Sequence, residues 1–236
     1  MARRFDRTKQ LIGLDGVQKL AASKVAVFGV GGVGSFVCEG LARGGIGFLD
    51  LFDCDVVDIT NINRQIIALD STVGRNKTDV MMERILDINP NAKVKSNVLF
   101  ISPESVAELD FGDYDYIVDA IDNVTGKIAL CQAGFNNNIP VISAMGAGNR
   151  LEADCFKIAD ISKTSGCPLA KVMRLELKKR GIKGIKAAFS DRPSIKQISE
   201  DGKRPSPASI SFVPSVMGLL IAGEVIKDII GKEEVI

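Results

Sequence analysis

The apolar run Lys24-Val-Ala-Val-Phe28 passes directly into Gly29-Val-Gly31-Gly32-Val-Gly34 and then into a stretch with helical periodicity through Leu41. The run has the continuous hydrophobicity of a strand buried on both faces, and the glycines have Gly-x-Gly-x-x-Gly spacing at a strand-to-helix turn. This junction constrains the chain more than any other feature. Gly29 permits the tight turn, Gly31 lets a phosphate approach the backbone, and Gly34 lets the helix pack closely on the sheet. Free N–H groups at the helix start favour an anion there. By itself the motif admits NAD as readily as ATP.

The neighbouring pattern extends the junction into a fold. Phe48–Phe52 reads as a second strand ending at Asp53. Asn76 to Ile88 reads as a helix, with Val80, Met81, Arg84, Ile85 and Ile88 at three- and four-residue spacing and Asn89-Pro90 as the stop. Val94–Phe100, Tyr116–Ile121 and Val141–Ala144 read as further strands, with a helix near Lys127–Asn137. This alternation predicts a doubly wound, Rossmann-like α/β sheet with right-handed crossovers. Ligands of such sheets sit at the carboxyl ends of the strands, here after Gly29, Phe52, Phe100 and Ile121.

After Arg150 the rhythm changes. Strands are expected at Cys155–Ile158 and Ala187–Ser190, a helix at Pro168–Arg180, a mobile loop at Asp191–Ala208, and a closing helix at Val213–Ile230. The expected organisation is one domain over residues 1–236, with a nucleotide-binding core at about 20–150 and a substrate-side region beyond it. The most apolar stretch, Ile210–Gly223, is too short to span a bilayer and reads as a buried helix.

Composition removes several chemistries. The chain has no histidine, which excludes His-based acid–base catalysis, Ser-His-Asp triads and His-ligated zinc. Its five cysteines form no Cys-x-x-Cys pair, so neither a disulfide framework nor a zinc site is expected. A reduced cytoplasmic setting fits, and the first ten residues lack the apolar core of a signal peptide.

The segment after the second strand separates the nucleotides. Asp53 lies where an acid would bind ribose hydroxyls. Asp53-Cys-Asp55-Val-Val-Asp58-Ile-Thr60-Asn61-Ile62-Asn63-Arg64-Gln65 is polar and precedes Gly74-Arg-Asn-Lys77. A dehydrogenase has no need of the cations Arg64 and Lys77 here. A triphosphate split between its α and β phosphates does, because charge develops on the leaving pyrophosphate. Asp122, in Asp119-Ala-Ile-Asp122-Asn123, is placed to hold magnesium, and the plainer reading of Asp119 is support of the turn. Taken singly, Arg64 or Lys77 reads as a solvated surface charge; the ordered set does not.

These four segments, GVGGVGS, DCDVVDITNINRQ, GRNK and DAIDN, resemble the ubiquitin-activating-enzyme superfamily, which includes the ThiF and MoeB sulfur-carrier adenylyltransferases. The resemblance implies that Gly32, Asp53, Thr60 to Arg64, Lys77 and Asp122 contact ATP or its metal. The nucleotide site is thus expected over Gly29, Gly31, Gly32, Gly34, Asp53, Asp55, Thr60, Asn61, Ile62, Asn63, Arg64, Gln65, Lys77, Asp122 and Asn123. It further implies a homodimer in which Arg7, in Arg4-Phe-Asp-Arg7, reaches the partner's site; the catalytic set is then Arg7, Arg64, Lys77 and Asp122.

Within the superfamily, Phe5-Asp-Arg7, Asp160-Ile-Ser-Lys163-Thr164, Pro168-Leu169-Ala170 and Phe189-Ser190 look like the tRNA threonylcarbamoyladenosine dehydratases. Such enzymes adenylate the carboxylate of a threonylcarbamoyl group on a tRNA adenosine and close it into a five-atom ring with net loss of water. Two absences fit. The paired zinc cysteines common among sulfur-carrier activators are missing, and Pro205-Ser-Pro-Ala-Ser209 offers no nucleophilic cysteine; ring closure within one side chain needs none. Cys167, before Pro168 at a helix start, reads as a packing or capping residue, although a thiolate is favoured at such a position. Between Lys171 and Arg204, eleven Lys and Arg stand against four Asp and Glu, and Lys178, Lys179, Arg180, Lys183 and Lys186 are candidates to track the tRNA backbone. The alternatives are activation of a sulfur carrier's C-terminal glycine, a non-catalytic nucleotide-binding scaffold and, last, an NAD oxidoreductase.

Overall fold

A computed structural model describes residues 3–195 and 207–231. A seven-stranded sheet runs β3-β2-β1-β4-β5-β7-β6, with β1 at Lys24–Phe28, β2 at Phe48–Phe52, β3 at Lys93–Asn97, β4 at Tyr116–Asp119, β5 at Val141–Ala144, β6 at Phe156–Asp160 and β7 at Ile185–Ser190. All neighbours are parallel except β6 against β7. The order reverses between β1 and β4, so the crevice beyond their carboxyl ends is the switch point where such sheets bind ligands. Gly29 and Asp122 follow these two strands.

The helices are α1 (Asp6–Ala22), α2 (Gly34–Gly44), α3 (Lys77–Ile88), α4 (Pro103–Ala107), α5 (Val124–Asn136), α6 (Pro168–Lys179) and α7 (Phe212–Ile230). Alternation along β1 divides the core. Val25 and Val27 join a cluster with α2, α3 and α7, built on Val37, Leu41, Met81, Ile85, Met217 and Ile221. Ala26 and Phe28 point to the other face, toward Leu130 of α5 and Met173 and Leu177 of α6.

The last helix is clamped onto the helix of the glycine turn. A Cβ at Gly40 of α2 would lie 2.6 Å from the Ala222 Cβ, and one at Gly218 of α7 would lie 2.4 Å from the Val33 carbonyl oxygen. Small residues on both sides allow this approach. The other face of α7 leaves Leu219 and Leu220 exposed, so the helix is half-buried rather than buried all round. No helix among the described residues is long and apolar enough to cross a membrane.

Two strands are shorter than expected, and β4 ends at Asp119, two residues before Ile121. The third strand stops at Asn97, three residues short, and Leu99 and Phe100 leave the sheet to line the crevice. Helix α1 had no sequence signal because Gly13, at φ 80°, breaks it in the middle. Of the loop expected at Asp191–Ala208, residues 196–206 lie outside the described residues. Its two described ends meet at Asn149, whose carbonyl accepts from the Ile195 N–H and whose own N–H donates to the Ala208 carbonyl, each at 2.7 Å.

Candidate nucleotide site

A cavity of about 640 Å³ opens at the switch point, lined by the glycine turn, Asp53, Asp55, Asn61, Arg64, Gln65, Lys77, Asp122 and Asn123. Gly29 is held at φ 88°, and a Cβ there would stand 2.7 Å from the Ala120 carbonyl group. The turn therefore leans directly on the chain leaving β4. Gly34 is not part of the lining; its missing side chain makes room for the Gly29 carbonyl oxygen, 1.8 Å from where a Cβ would be.

Gly31 and Gly32 behave differently. A Cβ at Gly31 would meet nothing nearer than the Gln65 Nε2, at 3.8 Å. The protein's own packing does not demand glycine there, so the open space suits a ligand. No side chain caps α2, and among the described residues the N–H groups of Gly31, Gly32 and Val33 have no acceptor. The Gln65 Oε1 is buried and unpartnered. Free donors at a helix start form an anion site, so this cradle fits a phosphate.

Asp53 fixes the turn from below: Oδ2 accepts the Val30 N–H at 2.6 Å, and Oδ1 accepts the Asp55 N–H at 2.9 Å. The Lys77 Nζ donates to the Asp55 Oδ2 at 2.6 Å, and this bond holds the Asp55 carboxyl below the usual carboxylate range. Arg64 is half-buried; its Nη1 donates to the Thr60 carbonyl and to the Asn63 Oδ1, each at 2.9 Å. Thr60, Ile62 and Asn63 do not line the cavity. Asp58 accepts from the Thr60 N–H and hydroxyl to build a 3-10 turn, and Asn63 Nδ2 reaches the Ser209 carbonyl at 3.0 Å. The Thr60 carbonyl and the Asn63 Oδ1 thus orient the Arg64 guanidinium.

Asp122 is exposed on the cavity rim, and its carboxylate has no partner among the described residues. Such a hard oxygen donor beside a phosphate cradle suits magnesium. The Asp53–Cys54–Asp55 cluster suits it less, because its carboxylates already serve N–H groups and Lys77. Asn123 caps α5 by accepting the Gly126 N–H at 2.6 Å and also donates to the Ile101 carbonyl, so at the cavity it is a strut.

The remaining predicted residues scatter. Arg7 is exposed on α1 and does not line this chain's own cavity. Cys167 is buried at the start of α6 and makes no capping bond; it packs. The basic stretch does not form one free cationic face. Lys179 and Arg180 pair with Glu176, and Lys186 pairs with Glu224 and Asp228, each at 2.7 Å. Lys178 and Lys183 are the exposed members without an ion pair among the described residues. Beneath the cavity, Asp119, Lys127 and Ser143 form a fully buried polar cluster that spacing did not reveal.

The ThiF family model matches residues 5–236. A Bacillus subtilis protein named tRNA threonylcarbamoyladenosine dehydratase is 45% identical over 100% of this chain and 98% of its own length. The Escherichia coli protein of the same name is 35% identical over 98% of this chain and 94% of its own length. The solved structure of E. coli tRNA N6-threonylcarbamoyladenosine dehydratase in complex with ATP matches with a TM-score of 0.88 at 35% identity, covering 97% of this chain and 94% of that one. The same enzyme in complex with AMP matches with a TM-score of 0.88.

Proposed function

The chain belongs to the ThiF family, and from that premise we propose that it is an ATP-dependent tRNA threonylcarbamoyladenosine dehydratase. The observation that carries this reading is end-to-end similarity to dehydratases of that name, joined to a phosphate cradle at the switch point of this chain's own sheet.

In the reaction, a carboxylate oxygen of the threonylcarbamoyl group attacks the α-phosphorus of ATP, and the bond to the β-phosphate breaks. Uncapped N–H groups at Gly31, Gly32 and Val33 receive phosphate oxygens. Arg64 and Lys77 face the charge that grows on the leaving pyrophosphate. Asp122 would hold magnesium, which supplies charge neutralisation on the phosphates. The urea group of the same side chain then attacks the activated carbonyl, a proton departs from it, and AMP leaves. Proximity within one side chain removes the need for a protein nucleophile.

A homodimer completes the site in this reading, with the partner subunit contributing a second copy of the arginine at position 7. Lys178 and Lys183 support tRNA binding in the cytoplasm.

The test is incubation with magnesium, ATP and threonylcarbamoyl-modified tRNA, followed by mass analysis of the nucleoside and of AMP. Loss of one water from the modified adenosine with AMP release is the expected result. Unchanged nucleoside, with adenylation of a sulfur carrier's C-terminus, would replace this reading. ATP binding without AMP formation from either substrate would make the protein a scaffold.

A further inference from the structure

Three side chains without solvent exposure lie beneath the cavity, one from each of three successive elements: Asp119 at the end of β4, Lys127 in the first turn of α5 and Ser143 in β5. The Lys127 Nζ donates to both Asp119 oxygens at 3.0 Å, and the Ser143 hydroxyl donates to the Asp119 Oδ2 at 2.5 Å. Lys127 Nζ also lies 3.4 Å from the Ser143 Oγ.

Stability alone does not account for such a cluster. Desolvation offsets most of the attraction in a buried ion pair, and apolar residues of similar volume often hold a fold as well or better. Its geometry is that of a staple. Asp119 and Lys127 bracket the turn that carries Asp122 and Asn123, and Asp119 Oδ1 accepts the Ile121 N–H within that turn at 3.3 Å. Ala120, next to Asp119, is the residue on which Gly29 leans. Ser143 ties in β5, and Met145 to Gly148 beyond it line the cavity.

We infer that Asp119, Lys127 and Ser143 form a positioning cluster that fixes the Asp122 turn against the glycine turn, so that one bound Mg·ATP meets both. None of the three lines the cavity. The inference rests on the ATP-dependent reading above.

The test replaces the whole cluster by apolar groups of similar shape: Asp119→Leu, Lys127→Met and Ser143→Ala together. Melting temperature, Mg·ATP binding by calorimetry and AMP release with modified tRNA are measured. The expected result is a folded protein that binds Mg·ATP at least about tenfold more weakly and releases AMP roughly 10- to 100-fold more slowly at saturating ATP, as a small misplacement of reacting groups predicts. Wild-type binding and turnover in the folded triple variant would overturn the inference. Ser143→Ala alone, which deletes one oxygen and no charge, decides the matter if the triple variant does not fold. An unchanged melting temperature with a threefold or greater loss of Mg·ATP affinity supports the cluster's role, and wild-type affinity overturns it. Calorimetry needs no RNA. A wild-type protein that binds Mg·ATP but leaves the tRNA unmodified therefore defeats the dehydratase reading without deciding this one.

Discussion

Lys77 and Asp55 share a 2.6 Å bond in which the ammonium side chain is only 7% exposed and the carboxylate 62% exposed. The acid holds a nearly dry cation at the cavity wall. Lys77→Met is expected to slow AMP release at least about 100-fold, because a desolvated charge facing the leaving group contributes about 3 kcal/mol to the transition state. Rapid-quench measurement of AMP checks it, and wild-type rates would remove Lys77 from the chemistry.

The same pair predicts a pH dependence. The Lys77 bond lowers the Asp55 carboxyl, so its contribution to stability is present above the unfolded value of about 4 and lost as pH falls through the folded value. The melting temperatures of wild type and Asp55→Asn should differ near neutrality and converge as pH falls through the lowered folded value. A gap that persists in acid would assign the effect to something other than this ionisation.

The four glycines of the turn should separate into two classes. Gly29→Ala places a Cβ 2.7 Å from backbone at φ 88° and is expected to lower the melting temperature by about 5 °C or more. Gly31→Ala meets no close protein atom and should melt normally while losing nucleotide affinity. Thermal melts with and without ATP distinguish the two; equal melting of both variants would contradict the assignment.

RNA binding should depend on Lys178 and Lys183, the exposed cations of the basic stretch without an ion pair among the described residues. Neutralising Lys178 and Lys183 together is expected to reduce the slope of log affinity against log salt by about 1 to 2. Lys186→Gln breaks its bonds to Glu224 and Asp228, so it should lower stability and leave the salt slope unchanged. Filter binding over a salt series, paired with melts, measures both. Equal slopes for all variants would move the RNA surface elsewhere.

If Arg7 acts across a dimer, Arg7→Ala and Lys77→Met are each inactive alone, yet mixed and refolded subunits should regain roughly a quarter of wild-type activity. In a mixed dimer one site has both side chains intact. No recovery on mixing would place the function of Arg7 within its own chain.

The parts that the sequence made legible are those governed by local rules. The strand before Gly29, the glycine spacing and the Asp53 position follow from hydrophobic runs and turn chemistry, and the structure places them around one cavity. Asp53 also shows the limit: its distance from Gly34 matches a ribose-binding acid, but spacing could not show that both its oxygens already serve the Val30 and Asp55 N–H groups. Lys127 was unreadable for a similar reason. A lysine on a helix reads as solvated, and only the pairing of β4 with β5 brings Asp119 and Ser143 around it. Thr60 and Asn63 enter the expected site through the family resemblance, and spacing does not show that their oxygens hold Arg64.

The close seat of α7 on α2 has a consequence for how the protein is made. Pro214, near the start of α7, lines the cavity, and Gly218 fits against Val33 at the glycine turn. A ribosome finishes the glycine turn early, but the wall that completes it emerges about 180 residues later. A nascent chain therefore carries the glycine turn without its Pro214 wall until α7 has emerged and docked.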